Sequence, residues 1–129
     1  MAGERIKSNR DLIVWQKAMD LVLAVYRVTD RFPEHERFGL TGHTRKSAIS
    51  VPSNIAEGHA RDSTREFLHH LSIAQGSLAE TETQLLVALR LEYVGKPDLR
   101  ESWDLIQDVG KLINRLVQSL KRNEAMDQA

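Results

Sequence analysis

Residues 63–93 read STREFLHHLSIAQGSLAETETQLLVALRLEY and set the secondary-structure class of the chain. Phe67, Leu71, Ala74, Leu78, Thr81, Leu85 and Ala88 recur at alternating spacings of four and three residues. That is the period of an α-helix that buries one face. Strand-like alternation of β-branched residues is nearly absent. Ser63 and Glu66 form a capping box, in which the serine hydroxyl accepts one orphan backbone N–H and the glutamate reaches back to another. At 1.5 Å per residue such a helix is about 45 Å long. Gly95-Lys96-Pro97 breaks it, with Pro97 suited to the first position of the next helix.

The same period extends in both directions. A first helix is predicted over residues 11–30, with one seam of Leu12, Trp15, Met19, Val22 and Tyr26 beside a second of Val14, Ala18, Leu21, Val25 and Val28. Pro33 stops it. A second helix over 40–57 carries small residues (Ser47, Ala48, Ser50, Ser53, Ala56) that let backbones approach closely. Pro52 is expected to kink it and Gly58 to end it. The third helix is the quoted 63–93. A fourth over 97–123 pairs the seam Trp103, Ile106, Gly110, Ile113, Val117 and Leu120 with the seam Leu105, Val109, Leu112 and Leu116. Its acids come early and its bases late, matching the helix dipole. The fold class is therefore all-α, an antiparallel up-down four-helix bundle over 11–123. Residues 1–10 read as a flexible N-terminal segment and 124–129 as a frayed tail. The double seams of the first and fourth helices exceed what a monomeric bundle buries, so homo-oligomerisation through those helices is expected.

The chain has 129 residues, the size of one domain, with 41% hydrophobic and 28% charged residues as in globular rather than disordered chains. Cysteine is absent, which excludes disulfides, thiolate catalysis and thiolate metal sites and makes a cytoplasmic location the default. No apolar run nears the roughly 20 residues that cross a bilayer. The start MAGERIKSNRD lacks the apolar core of a secretory signal. Lys plus Arg equals Asp plus Glu at 18 each, so a whole-surface polyanion binder is not indicated. Locally the balance differs: residues 1–61 hold 10 basic and 7 acidic residues, residues 62–129 hold 8 and 11. All five histidines (His35, His43, His59, His69, His70) fall between positions 35 and 70. Position-specific chemistry is sought there.

Several runs carry a family resemblance. They are Gly39-Leu40-Thr41; Arg45-Lys46-Ser47-Ala48-Ile49-Ser50-Val51-Pro52-Ser53-Asn54-Ile55-Ala56-Glu57-Gly58; Glu66-Phe67 with Leu71 and Ala74; Gly76-Ser77-Leu78; and Glu80-Thr81-Glu82-Thr83-Gln84-Leu85. Asp11-Leu12 with Val14-Trp15 and Ala18 adds to them. Over about residues 11–94 the chain resembles the four-helix-bundle proteins encoded by intervening sequences of bacterial 23S rRNA genes. The accessory protein of diversity-generating retroelements shares that fold family. The resemblance implies a homopentameric barrel and no catalytic role; no cofactor is expected. From the retroelement branch it implies contact with nucleic acid and with a reverse transcriptase.

Five basic residues, Arg37, Arg45, Lys46, Arg61 and Arg65, form the candidate nucleic-acid surface. Arg45 and Lys46 lie on the second helix and Arg61 and Arg65 flank the turn into the third, so convergence at one end of the bundle is expected. Repeated around an oligomer they hold phosphates without reading sequence. Exposed aromatics are scarce, which favours structured RNA or duplex DNA over stacked single strands. The alternative is a solvated face, or arginines paired with Glu57 and Asp62. Pro52, Ser53, Asn54, Glu57 and Gly58 read as a structural motif at the kink and junction, together with the capping pair Ser63 and Glu66. Ser53 has no histidine placed to activate it. Glu66-x-x-His69 matches half of a bundle di-iron site, but the second half is missing and Glu66 already caps the helix. No metal is expected. Glu80 and Glu82 read as ion-pairing residues between subunits, at an oligomer interface, or between helices, and Trp15 and Trp103 as core or interface anchors. The expected function is a non-enzymatic oligomeric scaffold that binds structured RNA or DNA through its basic patch. The alternative is a scaffold that recruits a protein partner, such as a reverse transcriptase, without touching nucleic acid.

Overall fold

The structure, a computed structural model, describes residues 9–128, and all regular structure among them is helical. α1 spans Asn9–Thr29, α2 Leu40–Ala60, α3 Thr64–Arg90 and α4 Lys96–Gln128, with a one-turn 3-10 helix at Glu34–Glu36 between α1 and α2. α1 packs on α2, α2 on α3, α3 on α4, and α4 closes back on α1. Short connections make each helix antiparallel to the last, which gives a four-helix bundle. No described helix is long and apolar enough to cross a membrane.

The α3 seam is buried throughout: Phe67, Leu71, Ala74, Leu78, Thr81, Leu85 and Ala88. On α1 only one of the two seams faces the core. Val14, Ala18, Leu21, Val25 and Val28 are buried, whereas Met19 and Tyr26 are exposed and Trp15 and Val22 cover the core edge. On α4 the buried stripe takes members of both seams, running Leu99, Ser102, Ile106, Val109, Ile113, Leu116. α2 buries a mixed face of Thr41, Thr44, Ser47, Ala48, Val51, Pro52, Ile55 and Gly58. Each fully buried Leu or Ile, such as Leu21, Ile55, Leu71, Leu85 and Ile113, contributes about 1.5–3 kcal/mol of transfer free energy.

Helix ends differ from the sequence expectation in four places. α2 runs as one α-helix through Pro52 and past Gly58 to Ala60, and its C-cap is Arg61 in an extended conformation. Gly58 is therefore no stop signal. A Cβ there would lie 2.7 Å from His70 Cβ and 3.0 Å from Phe67 Cδ1, so this glycine lets α2 and α3 touch. α3 ends at Arg90, three residues before Tyr93. Glu92 has φ 63°, its N–H bonds to Leu89 O (3.0 Å) and the Tyr93 N–H bonds to Ala88 O (3.0 Å). These are the two bonds of a Schellman motif, here with a non-glycine residue in the left-handed position. α4 continues to Gln128, so the tail expected to fray from residue 124 is helical almost to its end. Of the expected N-terminal segment, residues 1–8 lie outside the described residues, and Asn9 and Arg10 open α1.

The serine half of the capping box forms as read, while the Glu66 carboxylate takes the Ser63 hydroxyl rather than the backbone N–H expected. Ser63 Oγ accepts the Glu66 N–H at 3.1 Å and donates to Glu66 Oε2 at 3.2 Å.

Candidate functional site

The five basic residues do not converge. Arg37 precedes α2, Arg45 and Lys46 lie in its second turn, and Arg61 and Arg65 stand beyond its far end. At 1.5 Å per residue about 22 Å of helix separates Arg45 from Ala60. Their partners differ as well. Arg45 donates through Nε to Thr29 Oγ1 (2.8 Å) and through Nη2 to Asp30 Oδ1 (2.8 Å), with its guanidinium 4.4 Å from the Tyr26 ring centroid. That side chain is 27% exposed and ties α2 to the end of α1. Arg61 donates to Glu57 Oε2 at 2.8 Å. Arg37 stands 3.9 Å from Glu34 and 5.4 Å from the Phe38 ring centroid. Lys46 and Arg65 are exposed and hold no carboxylate among the described residues.

The SVPSNIAEG run has another role, the polar seam between α2 and α3. Ser47 Oγ lies 2.8 Å from both Thr81 Oγ1 and Gln84 Oε1. Ser50 Oγ lies 2.7 Å from Ser77 Oγ. Asn54 Nδ2 donates to Ser50 O (2.9 Å), and its Oδ1 lies 3.2 Å from His70 Nδ1. His70 Nε2 in turn stands 3.9 Å from Glu57 Oε2, the oxygen that holds Arg61. Ser53 is exposed and outside this seam. The contacting residues missing from the sequence-derived set are Ser47, Ser50, His70, Ser77, Thr81 and Gln84. A signal for them exists: Ser47, Ser50 and Asn54 at 3-4 spacing face Thr81 with Gln84, Ser77 and His70 in turn, at helical spacings on α3. Matched polar positions on two helical core faces fix their register, because a slip leaves each hydroxyl without its partner.

The other candidates resolve separately. Glu66 is engaged with Ser63, and His69 is exposed beside His70, with ring centroids 5.5 Å apart. Among the described residues no group of three or more His, Asp or Glu is placed to hold a metal. Glu80 is exposed and Glu82 half-buried, and neither forms an ion pair among the described residues. Trp15 and Trp103 lie on different helices, α1 and α4. Trp15 covers the core from α1. Trp103 lines a groove of about 340 Å³ between α3 and α4 with Leu86, Leu89, Lys96, Leu99, Arg100 and Asp104.

One further cluster joins the two corners at the same end of the bundle. Glu36 Oε1 accepts the Leu40 N–H at 3.0 Å, capping α2, while Glu36 Oε2 accepts the Tyr93 hydroxyl at 2.8 Å. The Leu40 N–H, then the Tyr93 hydroxyl, hold the Glu36 carboxyl below its ordinary 4.5. The same carboxylate raises Tyr93 above its ordinary 10.0. Gly39 makes room for the cap, since a Cβ there would lie 2.6 Å from Glu36 Oε1.

Four antiparallel helices, the middle pair locked by matched hydroxyls and amides, define an all-α four-helix-bundle protein. The profile described as 23S rRNA-intervening sequence protein matches residues 10–115. The chain belongs to that family, and the match extends beyond residue 94 into most of α4. A similar solved structure, from Bacteroides thetaiotaomicron, is described as a protein of unknown function from the S23 ribosomal protein family, at 1.70 Å resolution. It aligns with a TM-score of 0.78 at 21% identity, over 84% of this chain and 98% of that one. At that identity the likeness shows a shared fold. Among curated proteins no match was found.

Proposed function

We propose that the protein is a cytoplasmic, non-catalytic scaffold whose bundles associate side by side. The observation that carries this is apolar surface left outside the core in two separate places. Met19, Leu23, Tyr26 and Ile49 are exposed along α1 and α2, and Leu86 beside half-buried Trp103 along α3 and α4. Two different apolar flanks suit a head-to-tail contact, which closes into a ring. The family resemblance sets the expected count at five. Light scattering tests it: the expected mass is a multiple of 14.7 kDa, and a monomer at micromolar concentration overturns the proposal.

A second proposal, nucleic-acid binding, is favoured by Lys46 and Arg65, which are exposed and free of carboxylate partners among the described residues. In an assembly each recurs once per copy, so even two bases per subunit add up to a polyanion surface. The family's description refers to 23S rRNA intervening sequences, which makes structured RNA the first ligand to test. Binding to labelled structured RNA across a salt series is expected to weaken steeply as salt rises. Lys46→Glu with Arg65→Glu is expected to abolish it while the assembly stays intact. Absence of binding at low salt overturns this proposal and leaves protein partners, such as a reverse transcriptase, as the cargo of the scaffold.

A further inference from the structure

We propose that Phe38 anchors the contact between copies, its ring seated in the Leu86–Trp103 groove of the next copy. This rests on the self-association proposed above and names the residues that perform it.

Phe38 is 89% exposed, the most exposed of the large apolar side chains described. It is also held in place. The residues around it are pinned by the Gly39 N–H on Glu36 O (2.9 Å) and the Leu40 N–H on Glu36 Oε1 (3.0 Å), and Glu36 is clamped by Tyr93 (2.8 Å). An aromatic presented on a preorganised backbone loses little freedom when it docks, the property of an interface anchor.

The same chain carries a matching receptor. The groove between the end of α3 and the start of α4 has Leu86, Leu89, Leu99 and Trp103 as its apolar lining, and its volume of about 340 Å³ falls at the lower end of the roughly 300–1,000 Å³ typical of ligand pockets. Anchor and groove each carry charges of both signs, so pairs of opposite charge can form between them. Arg37 and Glu34 flank Phe38, while Asp104, Lys96 and Arg100 border the groove. Asp104, Lys96 and Arg100 hold no ion pair among the described residues, and Arg37 and Glu34 meet only at 3.9 Å. Arg37 can therefore meet Asp104, and Glu34 can meet Lys96 or Arg100, across a contact between copies. With its ring in solvent, Phe38 does not fill its own groove, so the groove comes from a second copy. Anchor and groove are different surfaces, and the contact is head to tail.

The absence of cysteine makes the test unambiguous. Single Arg37→Cys and Asp104→Cys chains, mixed and treated with a short bis-maleimide, are expected to form the 37–104 cross-link in excess over 37–37 and 104–104. Phe38→Ala is expected to weaken association about a hundredfold in Kd with helical content unchanged, since the side chain makes no core contact. Unchanged association in Phe38→Ala, or an intact assembly without the 37–104 product, overturns the anchor while self-association stands. A wild-type chain that is monomeric at tens of micromolar overturns both.

Discussion

The α2–α3 pair and the α1–α4 pair hold the bundle by opposite means. α2 and α3 are joined by three residues and meet through buried or half-buried hydroxyls and amides, with Gly58 admitting His70 and Phe67 against the helix. α1 and α4 meet through an aliphatic stripe and, at the rim, three exposed ion pairs: Lys17–Asp108 (3.5 Å), Arg27–Glu101 (3.0 Å) and Arg31–Asp98 (2.7 Å). Exposed pairs of this kind contribute little, because water and salt screen them. Buried polar contacts are strict, because a donor left without its partner keeps the full desolvation cost. One seam therefore specifies a register, and the other supplies apolar burial and tolerates change at its rim.

The largest effect that would break this contrast sits at Gly58. Gly58→Ala drives a methyl into His70 Cβ, an atom that cannot swing aside, and is expected to destabilise by about 2 kcal/mol, read as a lower midpoint in urea. Ser47→Ala is next, at about 1 kcal/mol, because Thr81 and Gln84 lose a shared partner. Combining it with Thr81→Val sharpens the contrast. The double variant is expected to cost less than the sum of the singles, since both polar partners are gone, and full additivity would show that the seam is not a coupled network. At the corner joining the two pairs, Glu92→Gly relieves a left-handed residue and is expected to stabilise by about 1 kcal/mol in the same assay. Arg27→Ala at the α1–α4 rim, where both side chains are more than half exposed, is expected to cost no more than about 0.5 kcal/mol, vanishing in high salt. The Glu36 latch comes last, because its effect is read only as a slope in acid. Its carboxyl is held below 4.5 in the fold, so the unfolded chain binds more protons as pH falls. The latch's contribution is present above that value and is lost as pH drops through the lowered one. Glu36→Gln is expected to flatten stability against pH in that acid window only.

What was legible in the sequence was local. Ser63 and Glu66 lie within one helical turn, so the Ser63 cap on the Glu66 N–H forms as read, and the α3 seam faces the core at every position. The two seams on α1 share one period, and the choice of Val14–Val28 over Trp15–Tyr26 is made by α2 and α4, far along the chain. A glycine near a helix end serves either as a left-handed stop or as a point of close approach. Gly58 was read as the first and is the second, because its contact, His70, lies on another helix. Glu92 was hidden by the more conventional breaker at Gly95. Among the basic residues, only position in space distinguishes Arg45, held by Thr29 and Asp30, from Lys46, which faces solvent.

The bundle closes between its first and last helices, and Lys17 and Asp108 stand 91 residues apart in the chain. At 5–20 residues per second of synthesis, the core stripe of α1 waits on the order of ten seconds for α4 to be made. During that interval α2 and α3, joined by three residues, already pair as a local hairpin with little loop entropy to overcome. A nascent chain is thus expected to carry a finished seam on one side and an open aliphatic groove on the other, with the vacancy shaped for its own final helix.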